Sequence, residues 1–125
     1  LLAGHVELVY PAGLHVWEVE LDRLRLAYLN DHRIQGALAV PVSMYIEMAQ
    51  AASAEAFGSR APMLAELELK KVLFLPEQGT QKVQVVLSTD VQEQVSFHVY
   101  SHSAGMPEQL RNLWTLHASG KIRLN

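Results

Sequence analysis

Within DHRIQGALAVP, residues 31–41, a histidine, a glycine and a proline stand at His32, Gly36 and Pro41. Each type has a chemical use in that order. An imidazole titrates near neutrality, so it can take or return a proton at physiological pH. A glycine lets the backbone come close to a ligand. Pro41 precedes the run VSMYIEMAQAASAEAF, and the first N–H groups of a helix have no intrahelical acceptor, which lets them polarise a carbonyl oxygen. A base beside such donors suits removal of the proton alpha to a thioester carbonyl. A loop histidine serves structure as readily as chemistry, however, and the three residues alone leave both readings open.

The remaining histidines carry less. His98 and His102 share one face of a strand pattern with Tyr100, and His117 lies between Thr115 and Ser119. All three read as outward-facing polar positions. A metal site would require them to converge from separate strands, and no carboxylate shares their pattern, so no metal is expected. His5 and His15 stand near the first residue.

Composition bounds the rest. A chain of 125 residues has the length of one domain, 1–125, and can bury roughly two-thirds of its unfolded surface without staples. With 50% apolar and 18% charged residues it is globular in type. A net charge of −3 gives no electrostatic reason to expect nucleic acid or a membrane surface as partner. The absence of cysteine excludes disulfides, thiolate catalysis and Cys-based metal sites, and is compatible with a reducing cytoplasm. The apolar runs are too short to span a bilayer.

The elements that must hold His32 in place follow from periodicity. LHVWEVEL alternates, with Trp17, Val19 and Leu21 on one face. The helix after Pro41 repeats Val42, Tyr45, Ile46, Ala49, Ala52 and Ala56 at three- and four-residue steps, with Gly58 as its stop and Pro41 suited to its first position. Its few charges, Glu47 and Glu55, predict burial on most of its circumference. Beyond it the pattern is all strand: Ala65, Leu67 and Leu69, with a phase slip at Lys70–Lys71 that reads as a bulge; Val83, Val85 and Leu87; Val95, Phe97 and Val99; then Trp114 to Leu124. One central helix, preceded by a strand and followed by several, predicts an α+β architecture of the hotdog type, an antiparallel sheet wrapped around one helix.

His32-x-x-x-Gly36-x-x-x-x-Pro41 also resembles the active-site motif of the dehydratase domains of modular polyketide synthases and animal-type fatty acid synthases. The likeness extends through VWEVELDRLRLAYLNDHRIQGALAVPVSMYIEMAQAA and the later VLFLPEQGTQKVQVVLS, roughly residues 14 to 101. It implies the N-terminal half of a double hotdog, in a cytoplasmic multidomain synthase. The reaction implied is loss of water from a β-hydroxyacyl thioester carried on the phosphopantetheine of an acyl carrier protein, with no directly bound cofactor. On that likeness His32 is the general base and Gly36 and Pro41 shape the pocket. The N–H groups around Val42 and Ser43 hold the thioester carbonyl; the helix face of Tyr45, Met48 and Ala52 reads as core, while the likeness would allow Tyr45 to line an acyl tunnel there. Val42 stands where many members carry a small residue, which narrows the pocket mouth.

Nothing in the chain resembles the family's second hotdog with its aspartate helix, so the resemblance implies half a site, partnered by that second hotdog or by neighbouring synthase domains. A homodimer is the other route. PVSMYIEMAQ is similar in spacing to the helix of single-hotdog dehydratases, where a glutamate at the place of Glu47 acts as acid towards the partner's histidine. Glu47 is otherwise a polar position on the helix. A non-catalytic docking element of a synthase, or an acyl-thioester hydrolase sharing the fold, are the alternatives to a dehydratase.

Overall fold

The computed structural model describes residues 5–8, 14–22, 33–34, 37–58, 62–75, 80–90, 92, 94–102 and 114–124. The elements are β1 (His5–Leu8), β2 (Leu14–Asp22), β3 (Arg33–Ile34), β4 (Ala37–Leu38), α1 (Val42–Phe57), β5 (Pro62–Leu69), β6 (Thr80–Thr89), β7 (Val95–His102) and β8 (Trp114–Leu124). Six strands form one antiparallel sheet in the order β1-β2-β6-β7-β8-β5, and β3 pairs with β4 separately. The helix packs against the sheet through β5, β6 and β8. This is the hotdog arrangement.

Strict alternation makes the inner face. Register aligns Trp17 with Val85, Val85 with Val99 and Val99 with Ala118, one row across four strands. All four are fully buried. Side chains at directly paired positions point to the same side of a sheet, so a period-2 pattern in each strand becomes a continuous apolar floor. Val83, Leu87, Val95 and Phe97 extend it. Against this floor α1 buries Met44, Tyr45, Met48, Ala49, Ala52 and Ser53. Those positions recur as adjacent pairs four apart, a single helical stripe. Each Met or Val so placed contributes about 1.5–3 kcal/mol relative to exposure.

Three expectations of the sequence need correcting. The helix is buried along one stripe, not on most of its circumference, and Val42 and Ile46 lie outside it at 41% and 38% exposed. Met44 and Met48 take their places, because the sheet lies to that side of the axis and unbranched Met fills the space there. The irregularity of β5 is not at Lys70–Lys71 but between Ala65 and Glu68, where the register with β8 shifts and Glu66 adopts a φ of 53°. Opposite it stands Gly120, where a Cβ would come within 3.1 Å of Leu64 Cδ1. The third correction concerns His117. A second shift, between Val99 and Tyr100 on β7, leaves β8 with an extra residue between Leu116 and Ala118. The bulge breaks the alternation and makes His117 and Ala118 consecutive buried residues. His98 and His102 do lie on the face of β7 away from the floor, half-buried, the first stacked on Tyr100 and the second edge-on to Trp114.

Candidate active site

Pro41 sits one residue earlier than the helix proper. It is the N-cap, at φ −80° and ψ 162°, and Val42 is the first helical residue. The Pro41 carbonyl accepts from the Met44 N–H at 3.0 Å. The N–H groups of Val42 and Ser43 have no intrahelical acceptor by helix geometry. The first turn itself contains no acidic residue, and among the described residues no side chain caps it, so its own sequence supplies no carboxylate to the positive end of the helix.

A groove of about 260 Å³ opens at this end of the helix, lined by Val40, Pro41, Val42, Tyr45, Leu69, Lys70, Lys71 and Val72. Its two walls come from segments about thirty residues apart, and the backbone joins them. Val40 N–H donates to the Leu73 carbonyl at 2.9 Å, and Ala39 bridges to Phe74 in antiparallel fashion. Tyr45 is buried, which pushes its phenol up to about 12 and keeps the hydroxyl protonated across the physiological range. Lys70 is ion-paired with Glu68, and both side chains are exposed.

Behind the lysine wall lies the buried His117. Its Nδ1 is 2.9 Å from the Lys71 carbonyl, and its Nε2 is 2.6 Å from Ser101 Oγ. The His117 carbonyl accepts from the Lys70 N–H at 2.8 Å. Burial lowers the pKa of the imidazole, the Lys71 carbonyl bond opposes that shift, and the nearby Lys71 charge adds to it.

Of the residues singled out in the sequence, Pro41, Val42 and Tyr45 line the groove. Ser43 is exposed beside it, at the second helical position. Glu47 is also exposed and is not among the lining residues. His32 and Gly36 lie outside the described residues. The ribbon that follows His32 in sequence is described: β3 pairs with β4 through Arg33 with Leu38 and Ile34 with Ala37, and leads directly to Ala39, Val40 and the cap. The Leu69–Val72 wall was missed. Its signal was present in the phase slip at Lys70–Lys71, which marks the residues where the chain leaves β5 to line the groove. Among the described residues no cluster of His, Cys, Asp or Glu has the arrangement of a metal site, and no helix is long and apolar enough to cross a membrane.

The family described as "Polyketide synthase dehydratase domain" matches residues 1–102. The chain belongs to that family. Among solved structures, it superposes on a dehydratase domain from the CurF module of curacin polyketide synthase with a TM-score of 0.85 and 27% identity, covering 99% of this chain and 43% of that one. Among curated relatives, a mycocerosic acid synthase-like polyketide synthase of Mycobacterium tuberculosis is 35% identical over 78 residues, 62% of this chain and 4% of the relative. A phthioceranic/hydroxyphthioceranic acid synthase of Mycobacterium bovis is 30% identical over 112 residues, 89% of this chain and 5% of the relative. The chain thus spans less than half of the solved domain and about a twentieth of the curated synthases. Membership supports a dehydratase-type role.

Proposed function

We propose that this chain supplies the base half of a polyketide synthase dehydratase site, with His32 as general base acting on a β-hydroxyacyl thioester. The substrate arrives on the phosphopantetheine arm of an acyl carrier protein and lies in the groove at the start of α1. The observation that carries the reading is that Pro41, which closes the motif, is the N-cap of α1 and lines an apolar groove at that end of the helix. The neutral imidazole of His32 takes the α-proton. The electron pair left on the α-carbon shifts charge onto the thioester oxygen, where the N–H groups of Val42 and Ser43 donate to it. The pair then returns to form the α,β double bond as the β-carbon–oxygen bond breaks, and the hydroxyl leaves as water once an acid protonates it. No electrons leave the substrate, so the chemistry calls for no redox group. Gly36 and Pro41 shape the approach, and Tyr45 bounds the acyl side.

The acid comes from outside this chain's groove. A second hotdog or neighbouring synthase domain is the first source. The second is Glu47 of another copy, favoured by its exposure on a helix face that the chain's own sheet leaves uncovered. The test is formation of enoyl product from a β-hydroxyacyl carrier protein, by the chain alone and within its parent synthase, with His32→Ala and Glu47→Ala variants. Turnover by the parent that His32→Ala abolishes supports the reading. Turnover by the chain alone, lost in both variants, assigns the acid to Glu47 of a dimer. Unchanged turnover in His32→Ala overturns the assignment of the base, and a parent that binds carrier protein but makes no enoyl product indicates a docking element.

A further inference from the structure

The β8 bulge has a cost in lost pairing and a specific product: it turns His117 inward, behind the groove wall. We propose that His117 is a positioning residue, which pins the Lys71 carbonyl and thereby holds the Leu69–Val72 wall at the spacing from α1 that leaves room for the substrate. The inference rests on the reading of that groove as the thioester site.

Hydrogen-bond chemistry fixes the direction of the pin. A backbone carbonyl can only accept, so the ring proton sits on Nδ1, 2.9 Å from the Lys71 oxygen. Nε2 then carries a lone pair, and the Ser101 hydroxyl donates to it at 2.6 Å. Both ring nitrogens are engaged and the side chain is only 4% exposed, so the ring has no freedom to turn. The His117 main chain grips the neighbouring residue through the Lys70 N–H. From this wall the Leu73 carbonyl reaches the Val40 N–H, next to the cap residue Pro41. An unbroken chain of contacts runs from Ser101 on β7, through His117 and the wall, to the start of α1. An apolar residue would fill the same volume without making any of the ring's links.

The tautomer is the first readout. Long-range proton–nitrogen spectra of the unmodified chain are expected to show His117 protonated on Nδ1 near neutral pH, and the Nε2-protonated form would overturn the proposal without any variant. The second readout compares His117→Asn, whose amide can stand in for Nδ1, with His117→Gln, which can stand in for Nε2, and with His117→Leu. Amide hydrogen exchange at Val40 is expected to quicken about tenfold or more in the Gln and Leu variants and to return to near the original rate in the Asn variant, with Val85 and Val99 unchanged. Equal behaviour of all three variants, or acceleration spread evenly over the sheet, would mean that His117 only fills space. In a synthase that turns over, His117→Gln is expected to raise KM for a β-hydroxyacyl pantetheine thioester about tenfold with kcat within about twofold, and His117→Asn to restore it. If no turnover is found in the unmodified synthase, the dehydratase reading falls, while the tautomer and the Val40 exchange still decide the pin.

Discussion

The two ends of α1 are built to opposite purposes. At its C-terminus the helix is closed. Gly58 ends it at a φ of 85°, its N–H returns to the Ala54 carbonyl, and Glu55 Oε2 accepts from Trp17 Nε1 at 3.0 Å. There His15 stacks on Trp17, with ring centroids 6.0 Å apart, and meets Phe57 edge-on. At its N-terminus the helix has, among the described residues, no side-chain cap; its first turn holds no acidic residue, and a groove opens beside it. One end is tied back by the Gly58 N–H and by the Trp17–Glu55 bond; at the other, no described side chain caps the first turn. A helix that needed only stability would be capped at both ends, since a good N-cap is worth about 1 kcal/mol.

That contrast breaks most sharply through His32. Replacing it with Ala is expected to cut enoyl formation by about 10²–10⁴-fold, the usual range for one positioned proton-transfer group, while leaving the melting temperature unchanged. Trp17→Ala should do the reverse. It removes a fully buried indole and the partner of Glu55, at a cost of about 3–5 kcal/mol of stability in urea or thermal unfolding. If Trp17→Ala unfolds the chain outright, Trp17→Phe keeps most of the ring burial and reports the smaller combined loss of the Glu55 bond and of part of the indole volume. Gly58→Ala tests the closed end more gently. Nothing lies within 4 Å of the added methyl, so its expected cost of about 1–3 kcal/mol is backbone strain at a φ and ψ nearly confined to glycine. A stability unchanged by that substitution would remove Gly58 from the closure.

The smallest effect is in pH. Burial lowers the pKa of both His98 and His117 below the ordinary value near 6.5, against the carbonyl bond in the case of His117. The unfolded chain then binds more protons than the folded one as the pH falls. Stability is therefore complete above about 6.5 and declines as the pH drops through the lowered folded values. Unfolding titrations of the chain and of His117→Asn should differ in that window, the variant having the shallower acid slope.

Strands β2, β6 and β7 were legible because nothing interrupts their own alternation. Trp17, Val19 and Leu21, then Val83, Val85 and Leu87, then Val95, Phe97 and Val99 are buried as alternation requires. The helix was legible in extent but not in phase, because Val42 and Ile46 satisfy helical spacing as well as Met44 and Met48 do, and only the position of the sheet chooses between them. His117 was read on the wrong side for a different reason. A bulge is one extra residue between two strands, and no local pattern announces which partner register creates it. Of the groove, the half contiguous with the motif was found from Pro41, Val42 and Tyr45. The facing half at Leu69–Val72 had a local trace in the phase slip at Lys70–Lys71, but its place opposite Pro41 depends on the tie to β8, a relation between distant segments.

The tie between Lys71 and His117 joins positions 46 apart in sequence, and this has a consequence in time. A ribosome adding about 5–20 residues each second needs roughly two to nine seconds to travel from one to the other. Through that interval the motif, the helix and the lysine segment have all been made, but β8 is not there to receive β5 and the wall has no anchor. A nascent chain therefore holds the start of α1 and the lysine segment for seconds before β8 closes in behind the wall.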